Sequence, residues 1–98
     1  MSAVATYQIV TWKGIPASVE AQDEADSVTI ALSERFQMLI DSVAMQLGLH
    51  DAEAYIELWT REAPQERAGH ARDVADAIAA ELEERFPAFI GRAFSRPA

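Results

Sequence analysis

Cysteine is missing from all 98 residues, which excludes disulfides, thiolate nucleophiles and cysteine-based metal or iron–sulfur sites. Basic residues are scarce: Lys and Arg number 8 against 16 Asp and Glu, for a net charge of −8. Such a surface repels phosphates and anionic headgroups, so neither nucleic acid nor membrane is expected as a partner. No apolar run approaches the ~20 residues that span a bilayer. Residues 1–5 show neither the cationic nor the apolar region of a leader peptide. A soluble, cytoplasmic, acidic protein is expected. The glycines (Gly14, Gly48, Gly69 and Gly91) are isolated, so a Gly-rich phosphate loop is absent, as is a G-x-S-x-G nucleophile elbow.

Half of the chain is apolar, and that half is patterned. Thr6 to Lys13 is rich in β-branched and aromatic residues with apolar groups on both faces, which predicts a central strand ended by Gly14-Ile15-Pro16. Ala17, Val19 and Ala21 alternate with Ser18, Glu20 and Gln22, and Val28, Ile30 and Leu32 alternate in the same way. Period two predicts two more strands, separated by the charged turn Asp23-Glu24-Ala25-Asp26 and forming a meander with the first.

Helical spacing follows. Ser33 stands at an N-cap position, and Phe36, Leu39, Ile40, Val43, Ala44 and Leu47 form one helix face before Gly48, a left-handed stop. Ala52 to Arg61 has helical composition but alternates Tyr55, Glu57 and Trp59, and is read as a strand; residues 63–69 are read as a loop. From Ala71, the stripe Val74, Ala75, Ile78, Leu82 and Phe86 predicts a second helix that Pro87 interrupts. The order β-β-β-α-β-α predicts a single α+β domain, an antiparallel sheet of about four strands against two helices. Residues 87–98 are read as a lid over that core or as a docking tail.

The chain resembles a small bacterial family, the virulence factor domain. The resemblance rests on Tyr7-Gln8-Ile9, the run from Trp12 to Val19, Ser33-Glu34-Arg35-Phe36-Gln37 with Ile40-Asp41, and the run from Asp51 to Tyr55 with Trp59. It continues through the run from Pro64 to Gly69 and Glu83-Glu84-Arg85-Phe86-Pro87. The resemblance carries no active site, and it implies partnership with folate- and corrinoid-dependent enzymes of one-carbon metabolism.

Three groups of residues are candidates for function. Trp12, Lys13 and Ile15 at the strand end form either an exposed recognition patch or a core cap, and Phe89, Ile90 and Phe94 in the tail can dock a partner helix or groove. Tyr55, Glu57 and Trp59, with Arg61 and Arg67 near them, form a face able to hold a small anionic or flat ligand, or one packed under the second helix. His50, Asp51, Glu53 and His70 lack metal-site spacing and are read as structural, so no metal or cofactor is expected. The favoured function is a non-enzymatic accessory domain that binds a protein partner or assembles with its own copies. The alternative is a small-molecule-binding or catalytic domain using the aromatic and carboxylate face.

Overall fold

In the computed structural model, which describes residues 3–48 and 52–94, the opening strand β1 spans Val4–Trp12. Lys13 and Gly14 carry it round at φ +50° and +83° into β2, Ile15–Gln22. Positive φ at both central residues is the pattern of a type I′ turn, whose twist matches that of the flanking strands. The strand therefore ends here as its composition predicted, but Ile15 and Pro16 already belong to β2. Pro16 lies inside β2 opposite Thr11, beside an irregularity that leaves Ala17 as an extra residue between the Thr11–Pro16 and Val10–Ser18 pairs. Proline is tolerated in a sheet at such a bulge.

The third strand, β3 (Ser27–Ala31), pairs with β2 and completes the expected meander. Helix α1 spans Glu34–Gln46 and buries Phe36, Leu39, Ile40, Val43 and Ala44, as the spacing predicts. Leu47, placed in the same stripe, caps the helix and stays half exposed, and Gly48 adopts the left-handed conformation.

The stretch 52–61 is corrected. It forms a short helix, α2 (Ala52–Glu57), and then strand β4 (Trp59–Arg61), which pairs with the far end of β1. Intrinsic helix propensity in Ala-Glu-Ala wins over the alternation of Tyr55, Glu57 and Trp59. The expected loop holds a further strand, β5 (Gln65–Ala68), paired to the near end of β1 from Val4 to Tyr7. Its Gln-Glu-Arg-Ala sequence has no strand propensity, and the open edge of β1 decides its conformation. The sheet is antiparallel, in the order β3-β2-β1 with β4 and β5 sharing the remaining edge of β1.

The second long helix, α3, spans Ala71–Glu84, and the chain breaks at Arg85 into α4, Phe86–Ala93, with Pro87 in its first turn. Proline suits that position because its missing N–H has no helical partner there. The α+β class holds, with five strands and four helices among the described residues.

Two apolar clusters result. In one, Ala5, Val19 and Ala21 lie under Val74, Ala75 and Ile78 of α3. In the other, Trp12 and Ile15 meet Phe36, Leu39, Ile40 and Val43 of α1, while Leu32 and Phe89 touch both. Each large side chain so buried contributes about 1.5–3 kcal/mol. Ile9 and Trp12, an odd and an even residue of β1, reach different clusters, and the β2 bulge at Ala17 lies between their partners Val19 and Ile15.

Candidate functional site

Helix α4 divides its side chains between core and solvent. Phe86 and Phe89 turn inward, with ring centroids 4.9 and 6.0 Å from that of Phe36, both edge-on. Ile90 and Phe94 remain 39% and 41% exposed. One side of the helix thus closes over the core as a lid, and Ile90 and Phe94 lie on the side that it leaves open. Ser95 to Ala98 lie outside the described residues.

A hollow lies along each side of α4. The first, about 240 Å³, runs between α1 and α4 and is lined by Arg35, Met38, Leu39, Phe86, Ile90 and Phe94. The second, about 230 Å³, is lined by Lys13 and Ile15 of the hairpin tip, Val43 of α1 and its cap Leu47, and Phe89 and Arg92 of α4. The structure therefore brings Lys13, Ile15 and Phe89 together from two distant parts of the chain. It sets Ile90 and Phe94 on the neighbouring side of the same helix.

Trp12 does not belong to this surface. It is fully buried, its indole Nε1 donates to the carbonyl of Tyr55 at 2.8 Å, and its ring lies 5.3 Å from that of Tyr55. The core reading of Trp12 holds, and Ile15, nearly buried too, shows the hollow only its edge. Lys13 is exposed, and its main-chain N–H is anchored on the carbonyl of Leu58 at 3.1 Å.

Met38 was missed by the sequence pattern. It is 64% exposed and lies off the buried stripe of α1, seven residues before the equally unburied Met45. Two apolar residues one heptad apart on a polar helix face are the signal that marks it.

Of the five residues of the alternative ligand site, Tyr55 and Trp59 meet edge-on with ring centroids 6.2 Å apart, but the two arginines are not gathered beside them. Tyr55 and Glu57 lie on α2, and Trp59 begins β4. Arg61 pairs with Val10 and reaches across β1 to Glu20 at 2.7 Å. Arg67 pairs with Ala5, whose side chain is in the α3 core, and binds Glu81 of α3 at 2.6 Å. Because Val10 and Ala5 point to opposite sides of β1, the two guanidinium groups lie on opposite faces of the sheet. The Arg61 guanidinium, hydrogen-bonded to Glu20, holds that carboxyl below its ordinary value.

His50 and Asp51 lie outside the described residues, and His70 occupies the N-cap of α3. Among the described residues, His, Asp and Glu form no group of three able to hold a metal ion. The sheet face turned away from α3 carries a further hollow of about 200 Å³, lined by Thr6, Gln8, Glu20, Gln22 and Thr29. No helix among the described residues is long and apolar enough to cross a membrane.

Residues 10–89 match the family model described as Virulence factor. No curated protein and no solved structure matches the chain.

Proposed function

The chain belongs to the virulence factor family, and we propose that it works there as a non-enzymatic accessory domain that holds a partner protein against α4. One observation carries this reading. Within a single helix Phe86 and Phe89 are packed on Phe36, while Ile90 and Phe94 stay exposed beside Met38 around an open hollow. Exposed apolar side chains gathered round a concavity are the usual ground plan of a protein-binding surface. The groups suited to chemistry are dispersed, and Arg61 and Arg67 are already held by Glu20 and Glu81.

The test compares the wild-type chain with a double variant, Ile90→Asp with Phe94→Asp. Both side chains are about two-fifths exposed, so the comparison is made only once the variant shows the wild-type far-UV circular dichroism and a cooperative unfolding transition. The wild type retains a stoichiometric partner from its native lysate, and the variant loses it. Folate- and corrinoid-dependent one-carbon enzymes, the partner class that the resemblance implies, are the first candidates to mix with the purified chain. Recovery of no stoichiometric protein, together with a monomer in light scattering, overturns the reading.

A further inference from the structure

We infer that the segment seated on α4 is an acidic amphipathic helix of another protein, an inference that rests on the reading of α4 as a docking surface. Charge complementarity selects this occupant. Asp and Glu outnumber Lys and Arg by 16 to 8 over the whole chain. Yet neither hollow beside α4 is lined by a carboxylate, and between them they take Lys13, Arg35 and Arg92.

The state of these cations divides them. Arg35 is held by Glu83. Lys13 and Arg92 are in no ion pair among the described residues, and both line the second hollow, with the Arg92 guanidinium 5.9 Å from the centre of the Phe89 ring. Two such cations at an apolar hollow of an acidic protein are matched by apolar anchors bearing carboxylates at their edge.

The same charges argue against other occupants. A second copy related by a two-fold axis through this hollow would set the Lys13 and Arg92 charges against the same pair of the other copy, and like charges so placed oppose association. Nucleic acid and anionic lipid need a broad basic surface, whereas the rest of this chain is strongly acidic. The secondary structure of the ligand follows from the shape. The hollows are bounded by side chains of α1 and α4, with the hairpin tip closing the second, rather than by a free strand edge, so an amphipathic helix can lay its anchors there.

The probe is a displayed library of peptides about 15 residues long, near the minimum for a stable isolated helix. Apolar anchors are fixed at helical spacing, and the polar positions are randomised among Asp, Glu, Lys, Arg, Ser and Gln. Selection on the full chain is expected to enrich Asp and Glu. Charge reversal by Lys13→Glu with Arg92→Glu is expected to weaken the selected peptides about tenfold, and added salt to weaken them on the wild type.

Enrichment without an acidic bias, or binding that the reversal leaves unchanged, overturns the acidic helix while leaving α4 as a docking surface. Failure to enrich any peptide also overturns it, and the Ile90/Phe94 comparison then decides the docking surface separately. A dimer in light scattering that Ile90→Asp abolishes places a second copy on α4 and overturns the inference as well.

Discussion

Arg35, in the first turn of α1, donates from Nη2 both to the Glu83 carboxylate at 3.0 Å and to the Glu83 main-chain carbonyl at 2.7 Å. The carboxylate in turn accepts from the backbone N–H and the hydroxyl of Ser33, each at 2.7 Å. Helix ends leave donors unsatisfied at the N-terminus and acceptors at the C-terminus. Here a carboxylate from the end of α3 serves the start of α1, and a guanidinium from the start of α1 serves the end of α3. Each charge belongs to a helix end that disfavours its sign and reaches the neighbouring helix end that favours it. The same guanidinium lies 4.4 Å from the centre of the Phe86 ring, which ties α4 to the junction.

Replacing Glu83 with Gln removes the charge from this exchange. The expected loss is about 1.5–3 kcal/mol of unfolding free energy, the usual range for hydrogen bonds to a charged group, measured by urea denaturation at neutral pH. The pH response has a fixed sign. Burial works to raise the Glu83 carboxyl, but Ser33 and Arg35 outweigh it and hold the group below its ordinary value of 4.5. Its contribution is therefore complete above pH 4.5 and is lost as pH falls through the lower folded value. Stability of the Glu83→Gln variant falls less steeply than that of the wild type over the same acid range.

Asp23 gives a second test in the same pH direction. Its Oδ2 accepts the N–H of Ala71 at 2.7 Å, and its Oδ1 accepts those of Ala25 and Asp26 at 2.8 and 2.7 Å. The Ala71, Asp26 and Ala25 donors, in that order, and the nearby His70 hold its carboxyl below the ordinary 3.8. The turn between β2 and β3 thus caps α3, whose own N-cap, His70, supplies no side-chain bond. Asp23→Ala is expected to lower the unfolding midpoint more than Asp26→Ala, because Asp26 gives the turn only backbone groups. Thermal melts of the two variants make the comparison.

These cross-chain caps mark where the sequence stops being legible. The alternating strands, the α1 stripe and the helix break just before Pro87 are local patterns, which residue spacing and proline chemistry place. Ser33 stands at an N-cap as its residue type suggests, but its hydroxyl turns to Glu83, 50 residues away. Nothing in either local run shows that partnership. Strand β5 was invisible because Gln65 to Ala68 is a strand through its pairing with β1. The candidate surface was half legible: Phe89, Ile90 and Phe94 announce themselves by helical spacing, whereas the meeting of Lys13 with Arg92 depends on where the hairpin tip lands.

The turn at Lys13-Gly14 supports that landing. Gly14 has φ +83° and no atom near the position of an added Cβ, so Gly14→Ala meets backbone strain without a clash. A cost of about 1–2 kcal/mol is expected. Lys13 holds φ +50° with a full side chain, a conformation that asparagine adopts more readily. Lys13→Asn is therefore expected to leave stability unchanged or raised in urea melts, while weakening the selected acidic peptides. Stability and binding then move independently at one residue, which separates the scaffold of the hairpin from the charge that it presents.

Trp12 and Trp59 stand opposite each other across β1 and β4 but in different environments, the first fully buried and the second half buried. Trp59→Phe leaves Trp12 as the sole indole, and its emission is expected to be further to the blue and harder to quench with acrylamide than that of Trp12→Phe. The Trp12→Phe variant loses the Nε1 bond to Tyr55 and opens a space against α1. The carbonyl of Tyr55 keeps the Leu58 N–H at 3.3 Å, which limits the polar part of the cost. A destabilisation of about 2 kcal/mol follows from the remaining cavity and lost contact, read as a lower urea midpoint with unchanged slope. An equally exposed Trp12 in the folded Trp59→Phe chain would mean that the hairpin tip is not seated in the α1 core. The wall that Ile15 and Lys13 give to the second hollow would then be lost with it.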